Sequence, residues 1–278
     1  MQLVSKAKSF GGEQRVYRHR SEATRTDMDL AVFLPREALE GFVCPTLVYL
    51  SGLTCSWQEI TMQGLPQMHA AKHGMIFVAP DTSPRGEQVP DDEHYDLGQS
   101  ASFYIDSTEQ PWSEHFQMES YLTKELPGLL LEALPVDEDA IGITGHSMGG
   151  FGALMLALRH PELFHSVSAF APICNPTHSV WGRKAFEAYL GEDESVWEAY
   201  DPCLLVQERG WEGDILIDQG LADEYFEDQL EPWAFEKACR KAGVELTLRL
   251  HGGYDHYYHF IASFLADHFE WHADRLAE

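Results

Sequence analysis

Ile141-Gly-Ile-Thr-Gly145-His146-Ser147-Met148-Gly149-Gly150-Phe151-Gly152-Ala-Leu154 runs from an apolar, β-branched segment through G-x-S-x-G into a helical pattern. A serine in that context sits on a nucleophile elbow, a strained strand-to-helix turn that projects its Oγ. Gly145 and Gly149 remove the Cβ atoms that would collide as strand and helix close together. The helix that starts after Ser147 aims its free N–H groups and positive dipole end at the same place, so the Met148 N–H is a candidate oxyanion donor. His146 neighbours Ser147 on a sharp turn and is expected to point elsewhere, in a packing role.

Outward from this stretch, short apolar runs at 30–34, 46–50, 75–79, 140–144, 166–170, 215–219 and 246–250 read as buried strands. Helical spacing occupies 68–73, 121–133, 148–160, 233–242 and 260–274. The alternation predicts an α/β fold with a mainly parallel central sheet and helices on both faces. Residues 183–190 and 196–200 read as a small cap insertion. The segments 80–113 and 172–181 lack a period and are expected to be functional loops. No repeat or linker divides the chain, so 1–278 is read as one domain.

With 44% hydrophobic, 12% aromatic and 23% charged residues, the 278-residue chain has a globular composition. Its net charge of −26 opposes binding to nucleic-acid phosphates or anionic lipid, so neither is an expected partner. Five widely spaced cysteines without a CxxC pair argue against a disulfide framework and fit a reducing compartment. The first nineteen residues carry no apolar h-region, and no stretch approaches the ~18 apolar residues of a membrane span. The expected location is cytoplasmic.

In an elbow fold the chain order is nucleophile, acid, histidine, each in a loop after a later strand. The run 246–250 leads into His251-Gly-Gly-Tyr-Asp255-His256-Tyr-Tyr-His259, which places His256 as the base, with His251 the next candidate and His259 in the first turn of the last helix. The acid belongs after 215–219, where Asp223 competes with Asp218, Glu224, Asp228 and Asp255. Neither His256-x-x-His259 nor His69-x-x-x-His73 has the third ligand of a zinc site, so no metal or other cofactor is expected.

These residues resemble the S-formylglutathione hydrolases, or esterase D family, of the α/β-hydrolase fold. The similarity runs through Leu50-Ser-Gly-Leu-Thr-Cys55, Ala79-Pro-Asp-Thr-Ser-Pro-Arg-Gly86, Gly145-His-Ser-Met-Gly-Gly150, residues 166–176, Trp181-Gly182, residues 214–220 and Gly253-Tyr-Asp-His256. The resemblance implies a triad of Ser147, Asp223 and His256, which singles out the acid. It also implies a second oxyanion donor at the Leu53 N–H, and hydrolysis of a small-molecule glutathione thioester to formate and glutathione in formaldehyde detoxification. Family members are often homodimers. Phe151, Trp57, Ile60, Val180, Tyr257 and His259 depart from the usual family pattern without touching the triad, and a broad short-chain carboxylesterase is the alternative reading.

Two further residues are candidate substrate contacts. Cys55, two residues past Leu53, is either a modifiable pocket thiol or a small buried side chain. Trp181 either lines the thiol channel or pins the cap. For the substrate's carboxylates a locally basic rim is expected, with Arg85, Arg183 and Lys184 as candidates, unless these only pair with surface acids.

Overall fold

The computed structural model describes residues 1–277. One sheet contains β1 (Gln2–Ser9), β2 (Gly12–Arg20), β3 (Asp27–Leu34), β4 (Cys44–Leu50), β5 (Ile76–Pro80), β6 (Val136–Gly145), β7 (Ser166–Phe170), β8 (Asp214–Gly220) and β9 (Glu245–His251). Their order is β1-β2-β3-β5-β4-β6-β7-β8-β9. The pairings β1/β2, β2/β3 and β3/β5 are antiparallel, and every pairing from β5 to β9 is parallel. The sheet is therefore mainly parallel, with one antiparallel flank.

Every residue of β5 and β7 is buried, as expected of strands covered on both faces. On one face the helix Met148–Arg159 packs with Pro202–Arg209, which also meets Pro232–Ala242. The other carries Tyr258–Leu276, whose His272 lies against Ser166 and Ser168 of β7, and which packs on Pro66–His73.

The antiparallel flank contains two strands that the sequence reading lacks. β1 and β2 are polar, and β1 is exposed along most of its length, so neither shows a buried-strand run. They are joined by a two-residue turn, Phe10-Gly11, in which both residues have positive φ (45° and 83°), the backbone twist that suits a tight hairpin.

The insertion between β7 and β8 starts with Val180–Leu190 and Glu194–Trp197 and continues through a 3₁₀ turn, Glu198–Tyr200. The helix Pro202–Arg209, absent from the sequence reading, belongs to the covering layer. Asp201 caps it by accepting from the Cys203 and Leu204 N–H groups. Tyr189 of the insertion secures the irregular segment after β5: its OH donates to the Ala101 carbonyl (2.8 Å) and accepts from the Gly98 N–H (2.8 Å).

Parallel pairing brings the C-terminal ends of β4, β6, β8 and β9 to one edge of the sheet. The loops after Leu50, Gly145, Gly220 and His251 leave from that edge together, the usual position for a ligand in an open α/β sheet.

Candidate active site

Ser147 has φ 58° and ψ −118°, a conformation side-chain-bearing residues rarely adopt. Neighbouring strands hold it there: the His146 N–H donates to the Leu50 carbonyl and the Ser147 N–H to the Phe170 carbonyl, both at 3.0 Å. A Cβ on Gly149 would run into the Leu50 carbonyl, and one on Gly145 into the Gly149 carbonyl, so the turn closes only over glycine.

The three residues singled out as nucleophile, base and acid lie in one hydrogen-bonded line. His256 Nε2 is 2.9 Å from Ser147 Oγ, and its Nδ1 is 2.6 Å from Asp223 Oδ2. With the proton on Nδ1, the ring donates to Asp223 and presents Nε2 as acceptor for the serine hydroxyl. Asp223 also accepts from Gln219 Nε2 (3.1 Å) and the Tyr225 N–H (2.8 Å), which fixes its carboxylate plane. The acid and base loops are tied together by the Ala222 N–H donating to the Tyr254 carbonyl (2.9 Å). All three side chains are buried.

The candidate oxyanion donors lie on the two sides of this serine. In the 51–55 loop the Thr54 N–H donates to the Ser100 carbonyl and the Cys55 N–H to the Gly52 carbonyl. Among the described residues neither the Leu53 nor the Met148 N–H has a protein acceptor. Tyr104 braces the loop from behind through its OH to the Ser51 carbonyl (2.7 Å).

The competing candidates have other partners. Asp218 is clamped by Arg249 through two bonds of 2.6 Å. Although burial acts against its charge, His268 and Arg249 hold its carboxyl well below the usual range. His251 stacks on Phe264 at 3.7 Å and sits beside Asp218. Asp255 accepts from the Tyr257 N–H, Glu224 accepts from the Tyr257 OH, and Asp228 is exposed. His259 occupies the first turn of the final helix. His146 lies with its ring 4.5 Å from that of His256, and burial keeps it far below its ordinary pKa, hence neutral.

Further serine–histidine contacts are of another kind, and His268 Nδ1 lies 2.8 Å from Ser168 Oγ. His272 bridges Ser166 Oγ (2.7 Å) and Ser168 Oγ (2.8 Å) beneath the sheet, where all three are sealed from solvent. No substrate reaches them.

Ser147 opens instead into a cavity of about 290 Å³, lined by residues 52–55, Tyr95, His146, Trp181, Tyr225 and residues 256–258. A larger groove of about 750 Å³, lined by Leu158, Phe164, His165, Arg209 and Trp211, lies at the far end of the Met148–Arg159 helix and contains no nucleophile. Both candidate contacts line the smaller cavity. Burial pushes the Cys55 thiol up to about 11, so it is a thiol rather than a thiolate at neutral pH. Trp181 is held at the cavity wall: its Nε1 donates to the Tyr95 OH (3.1 Å) and its ring lies 4.7 Å from Tyr225.

The cavity-lining Tyr95, Tyr225 and Tyr258 were not singled out in the sequence. Each stands in a loop or at a helix start, where no periodicity marks a tyrosine as facing a site. The basic rim expected there is also absent. Arg85 pairs with Asp81, Arg183 with Glu194 (2.5 Å) and Lys184 with Asp96 (2.5 Å), and none of the three lines the cavity.

Residues 21–271 match the model of a family described as putative esterase. The chain is 51% identical over 275 residues to S-formylglutathione hydrolase of Paracoccus denitrificans, covering 99% of this chain and 98% of that one. It superposes on the structure of an S-formylglutathione hydrolase from Agrobacterium tumefaciens with a TM-score of 0.97 and 46% identity, over 99% of this chain and 100% of that one. A fluorophosphonate-binding serine hydrolase of Staphylococcus aureus, 19% identical with a TM-score of 0.75 over 94% and 98% of the two chains, shares the fold. With this fold, this elbow and near-full-length identity of about half, the chain belongs to the S-formylglutathione hydrolase family of α/β-hydrolase-fold esterases.

Proposed function

We propose that the protein hydrolyses S-formylglutathione to formate and glutathione, with Ser147 as nucleophile, His256 as general base and Asp223 as its orienting acid. The observation that carries this reading is the Ser147–His256–Asp223 line at a closed-in cavity, in a chain 51% identical to a hydrolase of that name.

In this mechanism His256 Nε2 takes the Ser147 proton as Oγ attacks the formyl carbon. The Leu53 and Met148 N–H groups hold the developing oxyanion. Collapse breaks the C–S bond, His256 returns its proton to the leaving sulfur, and glutathione departs as the thiol. Water, deprotonated by His256, then attacks the formyl ester. Collapse restores the Ser147 hydroxyl and releases formate. Asp223 holds the Nδ1 tautomer and stabilises the imidazolium at both stages.

The same reading assigns the protein to the cytoplasm, where it removes the product of glutathione-dependent formaldehyde oxidation, and to a homodimer. Five free cysteines support the reducing compartment; sedimentation equilibrium tests the dimer, and a monomer contradicts it. The mechanism is tested by following loss of the thioester in wild type and Ser147→Ala. A fall of about 10⁴-fold or more is expected, and retained turnover would remove Ser147 from its role.

A further inference from the structure

The wall of the cavity is a chain of aromatic rings. Tyr95 meets Trp181 edge-on at 6.5 Å, Trp181 lies 4.7 Å from Tyr225, Tyr225 meets the His256 ring at 4.9 Å, and Tyr257 follows at 6.1 Å. Among the described residues lining the cavity there is no lysine or arginine. Arg85 donates to the carbonyl of cavity-lining Cys55 but is paired with Asp81, and the unpaired charge beside the cavity is negative: Glu224 Oε1 accepts from the Tyr257 OH at 2.8 Å, while among the described residues Oε2 has no protein partner and the side chain is exposed. The loop 221–230 carries Asp223, Glu224, Glu227 and Asp228 and no basic residue.

A tripeptide thiol such as glutathione has two carboxylates and one free α-ammonium. Carboxylates entering an aromatic, cation-free mouth lose hydration and find no counter-charge. An ammonium meets the negative faces of the rings and a carboxylate with a free oxygen. The Tyr257–Glu224 bond strengthens this arrangement, since the carboxylate keeps the phenol protonated and draws its pKa upward. The residues after the acid and after the base are thus joined across the mouth, beside the bond joining Asp223 to His256.

We infer that the mouth formed by Trp181, Tyr225, Tyr257 and Glu224 is an ammonium subsite, which seats the γ-glutamyl amino end of the thioester and leaves its carboxylates in solvent. The inference rests on the proposed glutathione-thioester activity and specifies which end of that substrate is recognised. Trp181 and Tyr257 then determine specificity through their faces, and Glu224 through its charge.

The test compares three substrates: S-formylglutathione, its N-acetyl derivative, which lacks the ammonium, and its glycine methyl ester, which lacks one carboxylate. N-acetylation is expected to lower kcat/KM about tenfold, mainly through KM, whereas the methyl ester stays within about twofold of the parent. In Glu224→Gln the penalty of N-acetylation should shrink. Because that penalty is a ratio of two substrates within one variant, a general loss of activity or folding cancels from it. Equal turnover of all three thioesters overturns the subsite while leaving the hydrolase reading intact. A larger penalty for the methyl ester overturns it in favour of a cation, Arg183 and Lys184 being the nearest in sequence to Trp181. Failure to hydrolyse the parent thioester removes the underlying activity instead.

Discussion

Ser147, His256 and Asp223 are distinguished from their neighbours by what else each group is bound to. Serine–histidine contacts also occur beneath the sheet, where Ser166 meets His272 and Ser168 meets both His272 and His268, yet among the described residues only Ser147 combines a strained backbone, an accessible cavity and a base with its own acid. A fluorophosphonate is therefore expected to modify Ser147 alone, as read by peptide mass spectrometry, and any adduct on Ser166 or Ser168 would contradict this. Cys55 shares the cavity but is held as a thiol. Since its pKa is pushed up to about 11, alkylation by iodoacetamide should accelerate about tenfold per pH unit between pH 7 and 9.5. Cys55→Ser should abolish any inactivation by the reagent; a rate that bends over near pH 8.5 and is level by about pH 9.5 would mean an ordinary exposed cysteine. At this scale the sequence was informative wherever chemistry imposes a residue type at a spacing. The elbow glycines announce Ser147, and chain order brings out His256. Asp223 needed the family resemblance, because five carboxylates lie within reach in the sequence and only their partners in space separate them. Arg85, Arg183 and Lys184 show the reverse, since charge in the sequence says nothing about which acid already holds it.

Among the elements, the elbow and the 51–55 loop form a single device. A Cβ on Gly52 would approach His146 Nδ1 to 3.1 Å and the Ser147 Cβ to 3.2 Å. Gly52→Ala should therefore press on Ser147 and push the loop, and its Leu53 N–H, off the reaction centre, while leaving the His256–Asp223 pair untouched. The expected result is a fall in kcat of about 10- to 1,000-fold with little change in KM. An unchanged kcat would show that this loop does not supply an oxyanion donor. Strands buried on both faces, such as β5 and β7, were legible as apolar runs, because burial on both sides leaves no room for polar residues. β1 and β2 were not, because an edge hairpin keeps polar residues on its exposed surfaces, and its remaining clue was the Gly11-Gly12 pair at the turn. The helix Pro202–Arg209 escaped for a related reason: with Gln207, Glu208 and Arg209 at its end it shows little periodicity, although Asp201-Pro202 marks its start.

Across the whole molecule, a net charge of −26 and several buried imidazoles act on stability in separable ways. The fold repels itself at neutral pH, so the melting temperature should rise between low and about 1 M salt, where the Debye length shortens to about 3 Å. A constant or falling melting temperature would contradict this. Burial holds His146, His268 and His272 below the ordinary imidazole range. As pH falls below about 6.5 the unfolded chain takes up protons that the folded chain refuses, so stability declines by up to about 1.4 kcal/mol per pH unit for each such group. Asp218, its carboxyl held low, contributes stability that is lost only at more acid pH. Urea unfolding in high salt, which screens the net-charge term, should give a smaller unfolding free energy at pH 5.5 than at pH 7.5. Equal values would mean that these rings are protonated in the fold.

The central claim is that this cavity and this triad serve a formyl thioester of glutathione, and the most direct measurement is kcat/KM for S-formylglutathione beside that for p-nitrophenyl acetate on the same preparation. A thioester preference of several orders of magnitude is the predicted result. A preference for the simple ester would contradict the claim and make the protein a general carboxylesterase working through the same three residues.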